Sequence, residues 1–110
     1  MTFTVKTMYA EYTNCLLSIR RYANNNHIAI SVYSPEEGPI ADVTVNIRGI
    51  ENQTDIDKSC VDTNNFPEAT RLIRELGIGK YTGLELVSGW CAYPVYEFDM
   101  YEIEKYTKEE

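Results

Sequence analysis

The chain has 110 residues, 10 Lys and Arg against 17 Asp and Glu, a net charge of −7 and a single histidine. That length suits one domain spanning 1–110, able to bury roughly 65% of the surface its unfolded chain exposes. The acidity speaks against direct nucleic-acid binding, which needs clustered Lys and Arg. The lack of an apolar run of about 18 residues speaks against a membrane span.

From the N-terminus, Met1 to Ala10 carries Lys6 and no apolar block, so no signal peptide is expected. Phe3 and Val5 alternate with Thr2, Thr4 and Lys6, and Cys15, Leu17 and Ile19 alternate with Leu16, Ser18 and Arg20. Ile28, Ile30 and Val32 then alternate with Ala29, Ser31 and Tyr33, and Val43, Val45 and Ile47 with Asp42, Thr44 and Asn46. A period of two is the signature of strands with one face buried. Between them, Asn24-Asn25-Asn26 and Ser34-Pro35-Glu36-Glu37-Gly38-Pro39 carry turn chemistry. Gly49 to Lys58 is polar and irregular and reads as a mobile loop.

One helix is expected, opening at Pro67, with Glu68 at its positive end and Gly77 closing it. Ala69, Leu72, Ile73 and Leu76 form its apolar stripe. Leu84 and Leu86 begin a further strand, broken or bulged at Ser88-Gly89. Tyr96, Phe98 and Met100 alternate with Glu97 and Asp99 in the last strand, which loses phase at Tyr101. The acidic end from about 105 is expected to fray. The expected fold is α+β: a curved, meander-like antiparallel sheet of about five to six strands with one main helix on one face.

The chemistry-bearing residues are few. Cys15, Cys60 and Cys91 are far apart, with no Cys-x-x-Cys spacing. They read as reduced, buried thiols of a cytoplasmic protein. His27, alone and after three asparagines, reads as an exposed turn residue. No two-histidine metal site can form and a Cys–His dyad has no support from spacing. No cofactor, metal or catalytic residue is expected.

Asp62, Asn64 and Asn65, ahead of the helix, suit a ligand or nucleotide contact, and equally a helix cap or side-chain turn. Thr82 to Phe98 holds the sole tryptophan among Gly, Pro and tyrosines. Trp90, Tyr93 and Tyr96, with Tyr81 and Tyr101 nearby, suit base stacking or a protein-binding hot spot, while Trp90 with Phe98 equally suits a core plug, the tyrosine hydroxyls favouring an edge. Glu97 and Asp99, two apart on one strand, suggest an acidic ridge with Glu85 or Glu102 beside it, and Asp55 with Asp57 makes a second pair.

Tyr22–Tyr33, Ala41–Asn46, Val61–Asn65 and Thr82–Phe98, with its Ser88-Gly89-Trp90-Cys91-Ala92-Tyr93-Pro94 block, resemble a family of small bacterial proteins of unknown function. The resemblance covers residues 22 to 98 and implies carriage on conjugative elements, plasmids or phages, a setting of anti-CRISPR and other anti-defence proteins. It implies no catalytic residues. Together with the charge, it leads to a non-enzymatic inhibitor docking on a host defence nuclease, most plausibly a CRISPR effector. Trp90, Tyr93, Tyr96, Glu97, Asp99 and Glu102 would make the contact. The alternatives are a nucleotide or small-molecule module built on Asp62, Asn64 and Asn65, and a homodimer of a mobile element paired through Trp90 and an edge strand.

Overall fold

Val43 is the hinge of the architecture. Its N–H donates to Ile30 O at 2.9 Å, and its own carbonyl accepts from Asp62 N at 2.9 Å. One residue therefore ends one sheet and begins another. The computed structural model describes residues 1–109. It holds the strands β1 (Phe3–Lys6), β2 (Glu11–Arg21), β3 (Ile28–Ser34), β4 (Gly38–Asp42), β5 (Thr44–Val45), β6 (Lys58–Val61), β7 (Gly79–Ser88) and β8 (Cys91–Phe98), and the helices α1 (Ala69–Leu76) and α2 (Met100–Glu104).

The strands form two four-stranded antiparallel sheets, ordered β1-β2-β3-β4 and β5-β6-β8-β7. The α+β class and the antiparallel pairing agree with the sequence pattern, whereas the single curved sheet of five to six strands does not. Alternation reports which face of a strand is buried and not which strand lies beside it. Polar stitches hold the two sheets together where β3 and β6 begin: Ile28 N donates to Ile56 O at 2.9 Å, and Ser59 Oγ to Ile28 O at 2.7 Å.

The main core lies between the sheets and α1. Cys15, Leu17, Ile30, Val32, Val61, Leu72, Ile73 and Phe98 contribute to it, matching the expected strand faces and helix stripe. The α1 helix begins at Ala69, two residues after Pro67, and ends at Gly77 with φ 69, from which N–H bonds return to Ile73 O and Arg74 O. A second, smaller cluster of Ile47, Ile50, Cys60, Tyr93 and Val95 covers the other face of the second sheet. Ile50 lies in a 3-10 turn and is buried, so the Gly49–Lys58 segment is anchored instead of forming the expected loose loop.

The chain end also differs from expectation. After Phe98 it turns into α2, where Asp99 caps the helix by accepting from Glu102 N at 3.2 Å. Tyr106 then accepts from Leu17 N through its carbonyl at 2.9 Å and meets Phe3 edge-on. The N-terminal ammonium donates to the carbonyls of Lys105 and Lys108. These contacts lie within the stretch from about 105 where fraying is expected; Glu110 lies outside the described residues. No helix among the described residues is long and apolar enough to cross a membrane.

Candidate functional site

Strands β7 and β8 form a hairpin that outgrows the core. Ser88 pairs with Cys91 across a two-residue turn. Gly89 takes its first central position at φ 61, and Trp90, whose φ is not positive, takes the second. Glycine there suits a II′ turn, whose twist matches that of the strands. At the tip Trp90 is fully exposed, at 105% of its reference area, and Val87 is 72% exposed. Leu84 and Tyr81 along β7 are also exposed.

Alternation along β8 sorts the aromatics. Tyr93 points into the small cluster and is 8% exposed, which removes it from any docking surface and corrects the edge position expected of it. Burial, with Cys91 nearby, pushes its hydroxyl up from the ordinary range. Tyr96 lies on the opposite face, half-buried between Tyr81 at 5.6 Å and Phe98 at 6.3 Å between ring centroids. Only Trp90 of the three is free to anchor a partner with its whole ring.

The acidic residues gather at the other end of the hairpin. Asp55, Asp57, Glu97 and Asp99 line one open cleft of about 590 Å³, together with Lys80, Gly79, Tyr101 and others. The two acidic pairs that stand forty residues apart in sequence meet because Phe98 N donates to Asp57 O at 2.9 Å. Asp55 is turned back on the loop, its Oδ1 accepting from Asp57 N at 2.9 Å, and Asp57 pairs with Arg21 at 2.9 Å. Glu97 stands in a row between Lys58 and Lys80 on the neighbouring strands, so the expected ridge is interrupted by lysines. Glu85 is opposite Pro94, on the other face of the sheet from Glu97. Glu102 pairs with Lys105 at 2.9 Å.

Trp90 and Glu97 are seven residues apart on an extended strand, roughly 23 Å. The aromatic tip and the acidic cleft are therefore two ends of one surface and not one patch. Tyr101, which the sequence places near the aromatic cluster and where the strand pattern loses phase, is 74% exposed beside the cleft instead of beside Trp90.

The remaining candidates have structural duties. Asp62 is buried; its carboxylate accepts from Asn65 N at 3.2 Å and from Asn65 Nδ2 at 3.1 Å, closing the turn before α1. Asn64 and Asn65 do line a groove of about 350 Å³ with Met8, Tyr9 and Tyr12. His27, expected to be exposed, is 2% exposed with Nδ1 2.6 Å from Lys58 O. The three asparagines place it there: Asn26 adopts φ 64, and Asn25 Oδ1 accepts from His27 N at 3.0 Å. Burial pushes the Cys60 thiol up to about 11 and raises Cys15 as well. Among the described residues no group of three or more His, Cys, Asp or Glu is arranged to hold a metal ion.

The chain belongs to the family described as a domain of unknown function (DUF4313), whose model matches residues 15–110. No curated protein and no solved structure matches it.

Proposed function

We propose that this DUF4313 chain is a non-enzymatic docking protein that presents its β7–β8 hairpin and the acidic cleft below it to a basic protein surface. The observation that carries this reading is Trp90, wholly exposed on a tight turn beside exposed Val87. A tryptophan in that position buries none of its ring in the fold and belongs to a residue type enriched among those that dominate binding energy at interfaces. The net charge of −7 adds steering toward a positive partner.

A defence nuclease of the CRISPR effector type has the complementary surface, a positively charged channel that holds guide and target. Carriage on a mobile element, implied by the sequence resemblance, would give such an inhibitor its setting in the bacterial cytoplasm. The test is biolayer interferometry of the immobilised chain against a panel of guide-loaded and guide-free CRISPR nucleases at rising salt. Association that weakens with salt is the expected result. No association with any of them at low salt overturns the CRISPR nuclease as the partner class.

A second reading, a small-molecule module, is favoured by the groove over Asn64 and Asn65 with the rings of Tyr9 and Tyr12 beside it. A thermal-shift screen with nucleotides separates the two. A rise in melting temperature that an Asn64→Ala variant loses would support the groove.

A further inference from the structure

The two sheets present four edges, and three are blunted. Strand β5 has two residues. Strand β4 carries Pro39, and β1 has four residues with its Lys6 carbonyl taken by Arg71 Nη2 at 3.1 Å. Short strands, proline and covered carbonyls are the usual protections of an edge. Strand β7 is the exception from Glu85 to Ser88, beyond its one irregularity between Tyr81 and Glu85. It is ten residues long, contains no proline and is the last strand of its sheet.

Its pairing phase shows which groups are free. A two-residue turn makes Ser88 and Cys91 a hydrogen-bonded pair, and alternation then turns the N–H and C=O of Val87 and Glu85 away from β8. Pro94, opposite Glu85, agrees with this phase, since it has no N–H to give to β7. The irregularity between Tyr81 and Glu85 leaves Glu85 to Ser88 as a regular open stretch. At the foot of the same strand, Gly79 and Lys80 line the acidic cleft.

We infer that the open edge of β7 takes an extended segment of the partner protein as a ninth, antiparallel strand, with its basic C-terminal end over the acidic cleft and its apolar part beside Val87 and Trp90. The inference rests on the docking reading above and names the form of the partner. Charge selects the occupant. A second copy would bring another −7 to the edge, whereas a segment ending in Lys and Arg meets a cleft in which Asp55, Glu97 and Asp99 outnumber Lys80, Asp57 being already paired with Arg21. Backbone bonds along the edge would supply affinity and alternate side chains the selectivity. The segment pairs along Glu85 to Ser88 and then passes the irregularity to reach the cleft at Lys80, a span of at most roughly 23 Å, so about seven or eight residues suffice.

The probe is a C-terminally amidated peptide, Thr-Val-Thr-Val-Thr-Ser-Lys-Arg-Lys, added to the full chain. The expected result is salt-sensitive binding, with the amides of Glu85 and Val87 slowed in hydrogen exchange. A Val87→Pro variant, which removes an outward N–H, should bind about tenfold more weakly. Because that variant can perturb the hairpin, a peptide N-methylated at alternate residues gives the same test on unaltered protein.

No binding at low salt overturns the inference. So does protection confined to the cleft, or an N-methylated peptide that binds as well as its parent; either leaves docking through the acidic cleft in place. A dimer whose β7 amides are protected without peptide assigns the edge to a second copy and overturns the inference also. Failure across the nuclease panel counts against the proposed partner class and does not alter the peptide result.

Discussion

His27 Nδ1 lies 2.6 Å from the carbonyl oxygen of Lys58, 31 residues away. An oxygen there can only accept, so the imidazole donates from Nδ1 and fills a site at 2% exposure where β3 and β6 begin. The only histidine of the chain is thus a tie between the two sheets. Replacing it by Ala leaves a cavity and an unsatisfied carbonyl, and should cost about 2–4 kcal/mol. His27→Phe keeps the ring but not the donor and should cost about 1–3 kcal/mol. Urea denaturation of the two variants checks both, and equal stability of wild type and His27→Phe would exclude the hydrogen bond as a contributor.

Gly79 is the tightest glycine of the fold. A Cβ there would stand 3.0 Å from Phe98 Cδ1, 3.2 Å from Glu97 O and 3.3 Å from Ile73 Cγ2. Two of the three neighbours are core rings or branches and the other is backbone, so none gives way freely. Gly79→Ala should destabilise by about 1–3 kcal/mol through overpacking. Gly38→Ala, where no atom lies within 4 Å, is strained only by its φ of 81 and provides the comparison in thermal unfolding.

The thiols should separate by burial. Cys15 and Cys60 are buried and Cys91 is partly exposed, so a thiol reagent should label Cys91 first in the native protein. Burial holds Cys60 protonated up to about 11, against an ordinary value of 9.0. The folded state then binds a proton that the unfolded chain has released, and its stabilising effect, complete below pH 9, is lost as pH rises toward 11. Cys15 acts in the same direction. Denaturation midpoints measured from pH 8 upward should fall, and Cys60→Ala should flatten the fall.

Trp90 should divide stability from binding. With its ring wholly in water, Trp90→Ala should alter stability by less than about 0.5 kcal/mol. The same change should cost about 2 kcal/mol or more in partner affinity, read as a faster dissociation rate. Intrinsic fluorescence at the wavelength of free tryptophan gives an independent check on its exposure. A blue-shifted emission would contradict the exposed tip.

The acidic cleft should act on approach instead. Glu97→Gln and Asp99→Asn remove charge at the cleft, and each should lower the association rate at low salt more than at high salt. Asp99→Asn retains a capping side chain, since Asn serves as well as Asp at that position. Its fold should therefore stay intact while the rate falls.

Period-two alternation in residues 3–32 and the apolar stripe of α1 were legible in the sequence, because they record burial of a face against any core. The strand expected over Val43, Val45 and Ile47 shrinks to Thr44–Val45, with Thr44 buried and Val43 and Ile47 in different clusters. Gly77 as helix stop and the asparagine turn before His27 were legible too, since both are local backbone geometry. Where a strand finds its partner depends on hydrogen bonds between distant residues, such as Val43 with Ile30 and Asp62, and only the tertiary structure decided that there are two sheets. It also decided that Trp90 is exposed while Tyr93 is buried, three residues apart on the same hairpin. The strand composition is alike at both places; the difference is that the core ends between them. The meeting of Asp55 and Asp57 with Glu97 and Asp99 has the same origin, a contact across the end of the second sheet that no spacing in the chain records.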